Sequence, residues 1–464
     1  MKTRTFLPIV IATLIIFLLP IVGYADFYSN RDCPNNGDGS SWSCAAGAGQ
    51  AGAFNNIPNA NDSCTFNGYR WTKGSTYWLA GSDTEYSSTC IRVNSGSGTI
   101  TIKKASPASH GTETGWDTAY GTKQAVITGR IQILTSNVTI DGSYRTSPEA
   151  GHGLKIQAAG SVPLISGVNN FVQSSITVKY VELTHTSFDS TSNHAITFYG
   201  NGGNIVQYCY IHDVSGLCVK GNGGFEGLMF EESVCGAIGK TTGALHCELM
   251  KDDGAGHDVI IRNNLFYDWK STGGIVLGDG GAQDNWRIYN NVFTQRTAGL
   301  TCGNGVITLL TAQTPATNIK VFNNTFANIS SLNAYVFSGG LGDMSGAGNE
   351  VKNNLFYNVA TGISTCSGGC TKGTNWYSMT PNYTPSGTEI AGSGNPFVNS
   401  AAGNFILAAI VGPGNLGENL SSYFTTDKDG YSRLAGSMGW SIGAYRALPA
   451  PPAPPAPPAR LRIF

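Results

Sequence analysis

The chain has 464 residues, 41% of them hydrophobic and 12% charged, against about 25% charged in ordinary domains. Its net charge of −1 gives no argument for a nucleic acid or an anionic membrane surface as partner. Its apolar content excludes a disordered chain, and its 61 glycines point to a fold rich in turns.

The first segment reads as an address. Lys2 and Arg4 precede an apolar run from Phe6 to Val22, and Gly23-Tyr24-Ala25 offers small residues before a cleavage point. Residues 1–25 are therefore expected to be a signal peptide, with the mature chain starting at Asp26 and exported to the outside or the cell surface. The alternative, an uncleaved anchor, sits at the short limit for a span and is disfavoured by Pro8 and Pro20. No later segment is long enough to cross a membrane.

Residues 26–95 are Gly, Asn, Ser and Cys rich and contain Trp42, Trp71, Tyr77 and Trp78. They are expected to form an N-terminal cap and first strands, stapled by Cys33, Cys44, Cys64 and Cys90 in one of three pairings. Cys366 and Cys370 are spaced to close a small loop, and the total of 11 cysteines leaves at least one thiol unpaired. No spacing suits zinc or a haem. The polar stretch from Ala105 to Gly121, with His110, Glu113 and Trp116, is an excursion of the kind that lines a binding face or simply forms a surface loop.

From residue 96 to 394 one phrase recurs. Arg262-Asn263-Asn264-Leu265-Phe266 returns as Tyr289-Asn290-Asn291-Val292-Phe293, Phe322-Asn323-Asn324-Thr325-Phe326 and Lys352-Asn353-Asn354-Leu355-Phe356. The second Asn falls at 264, 291, 324 and 354, and degenerate copies put Cys209 and Val181 in its place upstream. Self-similarity at this period marks a solenoid. Each repeat holds short alternating runs of Val, Ile, Phe and Tyr broken by Gly, Asn, Asp and Ser, and none shows a helical period. Three strands and three turns per coil of about 25 to 30 residues make a parallel β-helix, with rungs about 4.8 Å apart. The paired asparagines are then an amide ladder and the following aromatic faces inward. Residues 395–446 read as a last coil and C-terminal cap. In that segment Asp427-Lys428-Asp429-Gly430 is a turn or, less well supplied with ligands, a weak calcium loop. Residues 447–464 form a Pro-rich tail.

The phrase Asn137-Val138-Thr139-Ile140-Asp141-Gly142, the repeats around Asn263-Asn264 and the ending Ile442-Gly443-Ala444-Tyr445 resemble secreted right-handed parallel β-helix proteins of the pectate-lyase-like superfamily. The resemblance covers roughly residues 95 to 446. It implies an all-β, single-stranded right-handed parallel β-helix with two caps. It also implies activity on a polysaccharide, although the superfamily includes lyases, hydrolases, epimerases and non-catalytic surface proteins.

A β-helix meets a polymer along an exposed sheet, so clustered outward ionisable residues on adjacent rungs mark a site. Aligning Ile196, Leu217, Cys247 and Ile275 as inward positions turns Lys220, His246 and Glu248 outward, close to Lys251, Asp252 and Asp253. That is the densest ionisable cluster in a charge-poor chain. For β-elimination from a uronate unit, Glu248, Asp252 and Asp253 would hold Ca2+ against the substrate carboxylate. His246, Lys220 or Lys251 would take the C5 proton. For hydrolysis, Glu248 and Asp252 or Asp253 would flank the bond. The bland alternative is a solvated face closed by an Asp-Asp-Gly turn. Arg287, Lys320, His194 and Trp116 are the expected substrate contacts. The expected protein is a monomer and a lyase, whose partner is a uronate-containing polysaccharide. A glycan-binding surface protein and a hydrolase on the same fold remain open.

Overall fold

The computed structural model describes residues 25–447 apart from 61–63, 65–68, 94–95, 170, 172, 189–192, 201, 240–247, 271–272, 279, 301–304, 310–315, 331–336, 340–345, 364–365, 367–368, 410–411 and 434–438. The expected signal segment, nearly all of the Pro-rich tail and His246 therefore lie outside the described residues.

Three parallel ladders wind around one apolar interior. The first face is a 12-stranded sheet running from Asp26–Ser29 to Cys370–Lys372. The second runs from Tyr86–Ile91 through Val181–Ser187, Tyr210–Val214 and Leu265–Trp269 to Ile390–Ala391. The third is made of short strands: Ile165–Gly167, Ile196–Tyr199, Val219–Asn222, Met250–Asp252, Ile275–Leu277, Ile307–Leu309 and Phe337–Gly339. The chain visits second, third and first face in turn, and every rung-to-rung pairing is parallel, so the fold is a parallel β-helix.

Alternation within each strand explains the interior. On the first face Ile140, Val178, Val206, Phe230, Ile261, Ile288, Val321 and Val351 are register neighbours and all fully buried. On the second face Phe266, Phe293, Phe326, Phe356 and Tyr377 stack with centroids 4.5–5.0 Å apart and nearly parallel planes. Between these faces the asparagine ladder is present as expected. The Nδ2 of Asn264 donates to Oδ1 of Asn291 at 3.0 Å, and the link repeats from Asn291 to Asn324, Asn324 to Asn354 and Asn354 to Asn375. Each amide also accepts the backbone N–H of the preceding ladder residue. Upstream the ladder reaches the N–H of Cys209, an expected position, through Ser233, which was not expected.

The first Asn of each pair has a different role. Asn263, Asn290, Asn323 and Asn353 take the left-handed conformation, φ 50–58°, which asparagine tolerates better than other residues with a β-carbon. Their side chains face outward and three of them hold the C-terminal segment. Asn290 donates to the Thr426 carbonyl and accepts from Arg433, Asn323 accepts from the Trp440 indole, and Asn353 donates to the Glu418 carbonyl.

That corrects the expectation for residues 395–446, which are neither a coil nor an end plug. Phe397–Asn399 and Asn404–Leu407 form an antiparallel hairpin. Phe397, Phe405, Leu407, Ile442 and Ala447 pack on the outer side of Val292, Ala327 and Leu355. The segment is a strap along the flank. Asp427 is the turn and not a calcium loop, since its carboxylate accepts the N–H groups of Asp429, Tyr431 and Arg446.

At the other end Cys33–Cys44 and Cys64–Cys90 are bonded, which selects one of the three pairings, and Cys366–Cys370 closes its loop. Cys218–Cys235 is a fourth disulfide, joining the third and second walls across the interior. Cys209 is buried and in no disulfide.

Candidate functional site

On the third face the inward positions are Ile165, Ile196, Val219, Met250, Ile275 and Ile307. Because side chains alternate, the next residues along form an outward column: Ser166, Thr197, Lys220, Lys251, Val276 and Thr308. Lys220 and Lys251 thus stand on adjacent rungs, pointing the same way about 4.8 Å apart along the axis. Like charges at that spacing repel, and one carboxylate relieves them. Asp253 takes the Lys220 ammonium on Oδ2 at 2.7 Å and the Lys251 ammonium on Oδ1 at 2.9 Å. Burial pushes the Asp253 carboxyl upward, but the two lysines outweigh it and hold the group below its ordinary range. Two lysines and one aspartate leave a net charge of +1 in this triad.

His194 closes one edge. Its Nδ1 accepts the Leu217 N–H at 3.4 Å. Burial first, then the Lys220 charge, push its pKa down to about 3 against the opposing pull of Asp253. It is a neutral imidazole at any ordinary pH, and it lies beside the lysines. His185, which the sequence reading passed over, is a satisfied core histidine: it accepts from Ser215 N–H and donates to the Val162 carbonyl.

Other expectations fail, for one reason. The sequence alignment set Cys247 beside Leu217, whereas Met250 is the register partner of Val219 and Ile275. The strand is displaced by an odd number of residues, so inward and outward exchange. Glu248 is consequently buried, at 2% exposure. Asp252 points inward, in the row of Gly221 and Leu277, and is fully buried. One of its oxygens accepts the Gly254 N–H at 3.1 Å. The other oxygen and Gln283 Oε1 both lie within 2.6 Å of where a β-carbon on Gly256 would be. Burial lifts the Asp252 pKa to about 7, against the hydrogen bonds from Gly254 and Gln283 that pull it down.

The expected calcium set therefore does not form. Asp252 faces the interior, Asp253 is occupied by two ammonium groups, and Glu248 is buried. Among the described residues no group of three or more His, Cys, Asp or Glu could hold a metal ion.

The remaining substrate contacts are dispersed. Arg287 and Lys320 are register neighbours, but on the first face, where Lys320 pairs with Glu350. Trp116 belongs to the N-terminal cluster, edge-on to Trp42 at 5.3 Å. What sequence reasoning missed is a second ionic column on the second face. Lys155 reaches Glu182 at 2.9 Å, and Glu182 reaches His212 at 3.4 Å. Burial raises the Glu182 pKa, but His212, Lys155 and Gln124 bring it down to about 2. The only signal was a spacing of 27 and 30 positions on alternating strands, with His212 two residues beyond Tyr210, the register partner of Glu182.

No family model matches the chain, and no curated protein does. Among solved structures it is similar to the pectate lyase Pel9A, at 13% identity over 92% of this chain and 98% of that one, with a TM-score of 0.43. It is also similar to the PL6-family alginate lyase AlyGC, at 12% identity over 69% of this chain and 50% of that one, with a TM-score of 0.34. The likeness is one of fold. The β-helix itself rests on the three parallel ladders described above.

Proposed function

We propose that this β-helix binds a uronate-containing polysaccharide on its third face and cleaves it by β-elimination. The observation that carries the reading is the lysine pair, Lys220 and Lys251, in register on adjacent rungs and sharing one carboxylate. A uronate carboxylate entering beside Asp253 meets the net positive charge of the triad. Partial neutralisation of that carboxylate acidifies the C5 hydrogen. The proton leaves to a base while the C4–O bond breaks, the C4=C5 double bond forms and the departing oxygen takes a proton. We assign the base to His246 from the sequence alone; it lies outside the described residues. His194, neutral and beside Lys220, would receive a sugar hydroxyl. The four disulfides and the N-terminal apolar segment fit an exported protein. The two lyases of similar fold named above act on pectate and alginate by their names, both uronate polymers, in keeping with the substrate class.

The test is incubation with a panel of uronate polysaccharides, followed by ultraviolet absorbance for unsaturated ends. Lys220→Ala and Lys251→Ala are each expected to lower the rate by about a hundredfold, the scale of removing one charge-stabilising group from an active site. Because lysines stand where the cation was expected, a chelator should leave the rate unchanged. Reducing ends without absorbance would replace elimination by hydrolysis. Binding with no cleavage of any polymer would leave a glycan-binding protein.

A further inference from the structure

We infer that the second face carries a separate binding site for a neutral pyranose sugar, independent of the lysine triad. The strap covers the second face only along its later rungs. Where its hairpin turn, Ser400–Gly403, meets the open part, a cleft of about 550 Å³ lies between that turn, Leu265 and Thr294 on the sheet, and Glu149 from the loop opposite. That volume suits one or two sugar rings.

The polar groups are held in place before any ligand arrives. Arg296 pairs with Glu149 through two parallel hydrogen bonds of 2.8 and 2.7 Å. Its guanidinium lies 4.0 Å over the Tyr267 ring, and its backbone N–H is fixed by Asp268 at 2.6 Å. Tyr267 can lie flat across the rung because the neighbouring rung has Gly236, where a β-carbon would come within 2.2 Å of the ring. The ion pair cancels its own charge, so the pocket presents planar donors and acceptors with no net sign. Such a set suits vicinal hydroxyls better than a carboxylate.

Gln295 supplies the second, independent observation. It lines the pocket at 8% exposure, and its Nε2 donates to the Trp269 carbonyl at 3.2 Å, which fixes the amide orientation. Its Oε1 is buried without a partner. An orphaned buried acceptor is unfavourable unless something donates to it, and a sugar hydroxyl does so. Leu265 and Phe405 offer the apolar patch that a pyranose face requires.

The experiment is saturation-transfer NMR and calorimetric titration of the full chain with glucose, galactose, mannose, xylose and their β-1,4-linked disaccharides, alongside glucuronate and galacturonate. A neutral sugar is expected to bind in the millimolar range, roughly the affinity that one shallow sugar subsite sustains. Gln295→Leu should weaken binding at least tenfold. Ala401→Trp, an exposed position at the mouth, should block it without altering the thermal unfolding curve. Lys220→Ala should bind unchanged, which separates this site from the proposed lyase site. Absence of transfer from every neutral sugar at about 10 mM, transfer preserved in Ala401→Trp, or preference for the uronates would each overturn the inference.

Discussion

The rungs after residue 260 and those before it solve the same problem differently. Downstream, the buried turn position is Asn264, Asn291, Asn324, Asn354 and Asn375, every amide satisfied by the next. The left-handed residue before the first four is asparagine, and the strap covers the flank. Upstream, the ladder thins to Ser233 and Cys209, and the left-handed position is held by Glu232, Tyr208 and Tyr180. These are the rungs that admit Asp252, His194 and the lysine pair. The contrast shows where a repeat fold accommodates chemistry: ionisable groups enter where the repeat is imperfect and a ladder no longer claims every turn.

The largest effect should come from cutting the ladder. Asn324 accepts from Asn291 through both N–H groups and donates to Asn354 and the Ile288 carbonyl. Asn324→Ala orphans several buried groups and should cost roughly 4 kcal/mol, at about 1–3 kcal/mol for each group left without a partner, read from urea denaturation. A loss under about 1 kcal/mol would deny the ladder its part in stability. Next is the Cys218–Cys235 disulfide, whose sequence separation of 17 residues predicts a loss of about 3 kcal/mol when both cysteines become alanine.

The upstream rungs should also show a pH signature. Asp252 has a folded pKa of about 7 against an ordinary 3.8, so the protonated carboxyl is the form the fold favours. Its contribution is full below about pH 4 and declines as pH rises towards 7, by at most about 1.4 kcal/mol per pH unit. It is constant above that. Asp252→Asn should flatten this slope in thermal melts taken across the range, and an unchanged slope would place the titration elsewhere. Smallest is Ser233→Ala, expected to cost about 1 kcal/mol, since its hydroxyl accepts one N–H and donates to one carbonyl. If it costs as much as Asn324→Ala, the upstream ladder is equal to the downstream one.

Much of this molecule was legible in the residues alone. The twin asparagines, the phenylalanine after them and the alternation of Val and Ile announce coils, a ladder and an inward column, because those patterns are local and repeat. They also placed Lys220 outward, three residues from an inward Leu217 and next to Val219. What they do not encode is the length each turn consumes. The register sets Met250, three residues past the expected Cys247, beside Val219, so Lys251 came out, Asp252 went in, and the carboxylates expected to gather around a cation were separated. Nor does any periodicity announce contacts between distant segments. The pairing of Cys218 with Cys235, the strap on the first asparagines and the meeting of Glu149 with Arg296 across 147 residues were decided by how the coils stack. Alternation within a strand is a property of the backbone, while register between strands is a property of the whole stack.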